Sequence, residues 1–194
     1  MKNRYLYLEK ILEDCTNQAR VQLIVFNKKP THVPNKLQIF SHNFKMMYLL
    51  VDDFNAIFGN QIFFITICTA LEILNGVNYG MPTLHNIDVN DDTITINVVY
   101  PILYIICNTE VVMACDAVVK SGKKISKMCF MLHEQTDNNE LKEAFLKLAV
   151  YTQGLCPYFS AAGFWYVEQE VLSTLFSSVI TYLIIIIQFN MTLK

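Results

Sequence analysis

The sequence predicts an all-α, polytopic membrane protein with about three membrane-crossing helices. Charged residues make up 16% of the 194 residues, against about 25% in typical soluble domains, and the mean hydropathy is +0.31. No charged side chain occurs from Val171 to Leu193. The stretch from Val171 to Phe189 would form a helix of about 28 Å, close to the hydrocarbon thickness of a bilayer. Because soluble core helices rarely run this long without charge on any face, this stretch predicts a crossing.

Residues 1–45 are predicted to form cytoplasmic helices. Tyr5, Leu8 and Leu12 recur at helical spacing among charged residues, which is typical of an amphipathic helix. Two prolines then mark a short loop, since proline breaks a helix interior. A second inner helix is predicted to begin near Lys36.

Two crossings are predicted before the last one, at 54–74 and 94–119. An extracellular loop at 75–93 separates them, because glycine, proline and acidic residues such as Gly76 and Pro82 are concentrated there. Polar residues inside the first crossing are expected to face protein or water, since unpaired polar groups in hydrocarbon are costly.

The remainder of the chain is predicted to hold a cytoplasmic anchor at 120–158 and a pore-type helix at 159–189. Within the anchor, Leu141–Tyr151 has the pattern of a short amphipathic helix. Neither an internal repeat nor a linker separates these segments, so a single domain, 1–194, is predicted.

The distribution of basic residues predicts the orientation in the membrane. Of the fifteen Lys and Arg residues, eight lie in 1–45, six in 120–147, none in 75–93, and one is Lys194. Three crossings put 1–45 and 120–147 on the same side, and basic segments stay in the cytosol. The N-terminus is therefore predicted to be cytoplasmic and the C-terminus extracellular.

Composition also argues against several classes of protein. The net charge of −2 gives no basic field for nucleic acid, and the six cysteines show no paired spacing typical of a disulfide framework or zinc site. No Ser/His/Asp or Cys/His arrangement is recognisable. We therefore expect no catalytic residues, no metal, no cofactor and no nucleic-acid partner, and the chain is predicted not to be an enzyme.

One stripe of the last helix is unusually rich in polar groups. Thr174, Thr181 and Gln188 are seven residues apart and so share a face, and Ser178 and Ile185 fill the intervening turns. Such a stripe suits a water-filled path, in which an isoleucine would form an apolar constriction that gates by dewetting. The other interpretation is helix packing, because Ser and Thr allow close approach and hydrogen bonds between helices. The stripe alone leaves both open, with packing the more common.

Two polar residues lie inside the second predicted crossing. Glu110 and Asn108 are candidates for a functional role, because ionisable and polar groups are rare within membrane helices. A buried interhelical hydrogen bond is an equally good interpretation.

Three segments together resemble one known family. Residues 181–189 read Thr-Tyr, an aliphatic run, then Gln-Phe; residues 159–164 read Phe-Ser-Ala-Ala-Gly-Phe; and residues 49–59 form a looser third match. In this order they resemble the C-terminal half of insect gustatory receptors, the seven-helix chemoreceptor family. The matching positions are Phe159, Ala161, Gly163, Phe164, Thr181, Tyr182, Gln188 and Phe189.

The resemblance implies a gustatory receptor subunit of the plasma membrane. Family members are ligand-gated, non-selective cation channels that assemble as tetramers around the last helix, with the N-terminus inside. The implied partners are a small-molecule tastant, membrane lipid and other receptor subunits, in a homo- or hetero-tetramer. Ile185 and Gln188 would lie at the narrow part of the pore. The expected pore-lining set is Thr174, Ser178, Thr181, Ile185 and Gln188.

Family members are much longer, and the helices that wall most of their ligand pocket have no counterpart in the resemblance. A truncated form is therefore expected, with ligand contacts sought at Asn60, Gln61, Tyr100 and Tyr104. The alternative is a subunit without a ligand site that co-assembles with and modulates full-length receptors. A transporter or membrane enzyme would need paired acids or a catalytic cluster, and the charge-free last segment argues against a soluble domain.

Overall fold

The computed structural model describes residues 3–8, 10–12, 14, 33–83 and 99–192, and most of them are helical. Three of its helices are long and apolar enough to cross a membrane, over Lys36–Gly76, Tyr100–Gln135 and Gln169–Ile186. The predicted all-helical membrane fold is confirmed. The elements are α1 (Val33–Thr83), α2 (Tyr100–Gln135), α3 (Asn139–Gly154), β1 (Ser160–Ala161), β2 (Trp165–Tyr166) and α4 (Gln169–Thr192).

Helix α1 is longer than the sequence predicts. Its 51 residues join the predicted second inner helix and the crossing at 54–74 without a break. It begins at Val33, so that Pro34 occupies the first turn, where the missing N–H would have no intrahelical partner in any case.

The predicted loop at 75–93 is wrong over its first part, because α1 continues through Gly76 to Thr83. A glycine inside a helix is unfavourable by only about 1 kcal/mol, too little to end the helix alone. Residues 84–98, which hold the rest of that loop and the start of the crossing predicted at 94–119, lie outside the described residues.

Helix α2 likewise joins a predicted crossing to the start of the predicted anchor at 120–158. It runs unbroken to Gln135, with Pro101 in its first turn. Past residue 119 it stays amphipathic: Ile125 and Cys129 are buried, whereas Lys127 is exposed. The lysines that suggested a solvated segment therefore lie on one face of a helix.

The last helix begins later than predicted. The prediction of a helix over 159–189 is wrong for its first ten residues, because Ser160–Ala161 and Trp165–Tyr166 form a small antiparallel hairpin and α4 begins at Gln169. The cause is the positive φ of Ala162 (53°) and Gly163 (80°), which a right-handed helix cannot contain.

Contacts divide the chain into two compact units. Unit 1 comprises Met1–Phe54 and Ala117–Phe159, and unit 2 comprises Asn55–Asp116 and Ser160–Lys194. The single domain expected from the sequence stays a prediction.

Unit 1 has a well-filled apolar core. Tyr5, Leu8 and Leu12 are all buried, which confirms the helical spacing at the N-terminus. The ring of Tyr5 meets Phe44 edge-on, with centroids 6.0 Å apart. Helix α1 contributes one continuous stripe of buried residues to this core, namely Leu37, Phe40, Phe44, Met47 and Val51.

The Tyr5 side chain is fully buried, yet its hydroxyl has no hydrogen-bond partner among the described residues. Burial raises the pKa of this phenol well above its ordinary value, and the nearby Cys156 adds to the shift. An unpaired buried hydroxyl opposes folding, so it is the surrounding packing that holds Tyr5 in place.

Helix α3 confirms the predicted amphipathic helix at 141–151 and extends it at both ends. Asn138 caps it by accepting hydrogen bonds from the N–H groups of Glu140 (3.0 Å) and Leu141 (3.3 Å). On its solvent face Lys147 donates to Glu143 at 2.8 Å, and this hydrogen bond lowers the pKa of that carboxyl.

Candidate functional site

Helix α4 has two distinct faces. The positions Val171, Leu175, Val179 and Leu183 are partly covered, and Leu172 is buried. All five are aliphatic and follow helical spacing, which indicates that this side of α4 faces the rest of unit 2. The five predicted pore-lining residues are all exposed: Thr174, Ser178, Thr181, Ile185 and Gln188.

The chain covers α4 far less than its other long helices. In the most apolar 18-residue stretch of each helix, only 6% is buried for α4, against 22% for α1 and 33% for α2. A largely apolar helix that the described residues leave uncovered is available for contact with lipid, with water, with another chain or with the rest of this one. The polar stripe of α4 is exposed along its length, although Thr174 and Ser178 at its start also border a groove between α4 and α1.

The hydroxyl groups of the stripe are satisfied within the helix. Thr174 donates to the carbonyl of Glu170 (3.0 Å), Ser178 to that of Thr174 (2.9 Å) and Thr181 to that of Ser177 (2.9 Å). Each oxygen keeps its acceptor capacity, because a hydroxyl has two lone pairs besides its one proton. The stripe therefore presents hydrogen-bond acceptors outward, which is chemistry that suits water, cations or a donor group.

The hairpin before α4 contains most of the family-like residues at 159–164. Ala162 and Gly163 both have positive φ, and Phe164 N–H donates to the carbonyl of Ala161 at 3.0 Å, which closes a tight turn within the three-residue loop between the paired Ala161 and Trp165. The hydroxyl of Ser160 accepts the Gly163 N–H at 3.0 Å. This tight turn leads the chain into α4.

Helix α1 contacts the backbone of the hairpin directly. The Asn55 side-chain oxygen accepts the N–H of Ser160 at 3.0 Å. One turn later, a Cβ atom built on Gly59 would lie 3.0 Å from the Ser160 carbonyl oxygen and 3.3 Å from the Ala162 nitrogen. Only a residue without a side chain fits this approach.

An aromatic cluster extends the same contact by one more turn of α1. The ring of Phe63 stacks on Phe164, with centroids 4.7 Å apart, and lies 5.1 Å from the ring of Trp165. Because Asn55, Gly59 and Phe63 are four residues apart, they form one face of α1. The hairpin that precedes α4 is thereby held against α1 on three successive turns.

Family-like residues outside this contact have different surroundings. Phe159, in unit 1, is buried and meets Phe54 edge-on at 5.3 Å. Ala161 is also buried. Tyr182 and Phe189 on α4 are exposed, as is Gln188.

The two polar candidates of α2 differ in environment. Asn108 is buried in unit 2, and its side-chain oxygen accepts from the hydroxyl of Thr66 at 3.3 Å. Thr66 shares this one proton with the carbonyl of Ile62, which is closer at 2.9 Å. The interpretation as an interhelical hydrogen bond is thus confirmed for Asn108. Glu110 is exposed.

The four residues predicted to contact the ligand are not buried in a pocket. Asn60 and Gln61 on α1 and Tyr100 and Tyr104 on α2 are all exposed. Their role stays a prediction. In the described part of the chain, no three His, Cys, Asp or Glu side chains are grouped as a metal site.

Sequence reasoning missed the role of Asn55, Gly59 and Phe63. Their four-residue spacing places them on one face of a helix, but the hairpin that this face contacts lies about a hundred residues further along the chain. Thr66 was missed for the same reason, since its buried partner Asn108 is on another helix.

The comparison with known families agrees with these features. The family model described as 7tm chemosensory receptor matches residues 1–193, nearly the whole chain. No curated protein matches the sequence. The match covers the hairpin, the α1 face that holds it and the whole of α4, and the family is not one of enzymes. The chain therefore belongs to the 7tm chemosensory receptors, the insect gustatory receptor family, and is a multi-pass membrane protein.

Proposed function

We propose that the chain is a subunit of a ligand-gated, non-selective cation channel that responds to a small-molecule tastant, with α4 lining the pore. The observation that carries the proposal is the exposed stripe Thr174, Ser178, Thr181, Ile185 and Gln188 on a helix that the described residues leave largely uncovered. Outward-facing acceptor oxygens favour water and cations over lipid tails.

Two residues of the stripe would control passage. Ile185 would form an apolar ring that dewets and closes the pore. Gln188, three residues further on, would offer amide oxygens to partly hydrated cations. A tastant would open the channel to the extent that it binds the open state more tightly than the closed one.

The uncovered face of α4 also supports assembly. A water-filled path needs several such helices around one axis, and closed cyclic symmetry is the usual arrangement in homo-oligomers. We therefore propose a tetramer, formed by this chain alone or with other gustatory receptor subunits.

For topology, the proposal keeps the N-terminus cytoplasmic and the C-terminus extracellular, in the plasma membrane, on the strength of the basic residues in 1–45 and 120–147. Epitope tags at the two ends test it in intact cells. A C-terminal tag should be labelled without permeabilisation and an N-terminal tag only after it. The reverse pattern contradicts the orientation.

Currents can test the pore without knowledge of the tastant. Ile185→Ser replaces the apolar constriction with a hydroxyl and should produce a constitutive cation current in cells that express the chain, alone or with other family members. Gln188→Arg in that background should reduce the current at least tenfold, because a ring of positive charge repels cations.

The matched control is Gln153→Arg, the same substitution at an exposed position of α3. It should leave the current of the Ile185→Ser variant unchanged. A variant that reaches the cell surface but gives no current in either expression setting, or a current equally sensitive to both arginines, contradicts the pore assignment.

A second function is supported by the same uncovered face of α4: a subunit that joins other receptor chains and modulates them without a ligand site of its own. It predicts co-purification with a longer receptor of the family and a shift in that receptor's tastant response. A current from the Ile185→Ser variant expressed alone would favour the autonomous channel instead.

A further inference from the structure

Unit 2 contains a groove that none of the sequence-predicted ligand residues lines. It lies between α1 and α4, has a volume of about 690 Å³, and is bordered at the hairpin by Trp165. Small-molecule sites in proteins typically span about 300–1,000 Å³, so this space suits a molecule of moderate size. Most of its walls are apolar, including Ala70, Leu74 and Val179.

Three hydroxyl groups in the groove share one property, while Trp165 and Tyr182, also in the lining, can act as hydrogen-bond donors. Thr66, Thr174 and Ser178 line it, and each hydroxyl proton is already donated to a carbonyl of its own helix, at 2.9, 3.0 and 2.9 Å. Their oxygens can still accept hydrogen bonds. The Glu170 carboxylate, also in the lining, is an acceptor when ionised.

We propose that this groove binds an apolar molecule that carries a hydroxyl group, such as a long-chain alcohol or a sterol. The hydroxyl would donate to the oxygens of Thr174 and Ser178, and the hydrocarbon body would lie along Ala70, Leu74 and Val179. A carboxylic acid would be disfavoured by Glu170 through repulsion between like charges. The inference concerns binding alone and does not rest on the channel proposal.

A photoreactive probe tests the site directly. The full chain, in lipid vesicles, is labelled with a diazirine-bearing decanol, and the labelled peptides are identified by mass spectrometry. Ala70→Trp fills the groove and should reduce labelling of α1 and α4 peptides at least fivefold. The matched control is Ala144→Trp on α3, another helical alanine that lines a separate cavity of unit 1, and it should leave this labelling unchanged.

The chemistry of the probe tests the hydrogen bond. The decanol should compete for labelling up to about tenfold better than its methyl ether, which has the same body but no donor. Thr174→Val combined with Ser178→Ala removes both acceptors with little change of volume and should abolish this preference. Because these substitutions are small, the test stands even if Ala70→Trp fails to fold.

A photoreactive sterol distinguishes the two sources of ligand. Labelling by the sterol that Ala70→Trp abolishes assigns a membrane component, whereas labelling by the decanol alone assigns a molecule from solution; either supports the proposal. Equal competition by the alcohol and its ether, or labelling that survives in folded Ala70→Trp protein, overturns it.

Discussion

Position 59 requires a residue with no side chain. The Cβ of Gly59→Ala would lie 3.0 Å from a backbone carbonyl oxygen of Ser160 and 3.3 Å from a backbone nitrogen, neither of which can rotate away as a side chain can. Although alanine favours helix, we expect a net loss of stability of about 1–3 kcal/mol from overpacking. Thermal unfolding in detergent measures it.

Gly154→Ala is the control, because a Cβ there meets no atom within 4 Å. Its effect should be within about 0.5 kcal/mol of zero. Equal melting temperatures for the two variants would show that the hairpin does not rest on α1 as described.

At Tyr5, by contrast, we expect removal of a polar group to leave stability unchanged or to increase it. Tyr5→Phe removes a buried hydroxyl that has no partner among the described residues, so the free energy of unfolding at neutral pH should be unchanged or higher by about 1 kcal/mol. Tyr5→Ala, which empties the site beside Phe44, should lower it by about 3 kcal/mol or more.

The same residue contributes to the pH dependence of stability. Burial raises the pKa of Tyr5 in the folded state, so the unfolded chain loses this proton first, and stability falls once the pH exceeds about 10, the ordinary value. Unfolding measured at pH 9 and pH 11 should show a smaller loss for Tyr5→Phe than for the natural chain. An equal loss would mean that the phenol is not buried.

Among the elements, the hairpin is the most sensitive to backbone conformation. Gly163→Ala forces a side chain into a positive φ of 80° and should be unfavourable by about 1–2 kcal/mol, even though no atom lies near the new methyl group. Ala162→Gly should relieve strain at φ 53° and be neutral or stabilising. The difference in unfolding temperature between the two variants checks this; the same response from both would exclude the positive φ described for these two residues.

The elements also show where sequence patterns are sufficient. Hydrophobic spacing predicted the N-terminal core residues, the amphipathic α3 and the aliphatic run of α4, because each signal lies within one helix. The helix ends were less predictable: Gly76 and the lysines after residue 119 suggested breaks that are only local preferences. The hairpin was missed because Ala162-Gly163 is a weak turn signal without its support from Asn55 and Gly59.

For the molecule as a whole, the candidate crossings were predictable because each is a long apolar stretch with few charged residues. The exposed stripe of α4 was predictable as well, since the seven-residue spacing of Thr174, Thr181 and Gln188 is a property of one helix. The groove was not predictable, because its lining residues, such as Thr66 and Thr174, lie on two helices that are about a hundred residues apart in the chain.

If α4 lines the pore, water reaches one of its faces. Cysteine substitutions along α4, in a protein whose six natural cysteines are replaced, can be tested with a water-soluble thiol reagent. We expect rapid modification at Thr181→Cys and Ile185→Cys and slow modification at Leu172→Cys and Leu183→Cys, which lie on the covered face and do not line the groove. Equally slow reaction on both faces, as in a helix surrounded by lipid or packed on all sides, would contradict it.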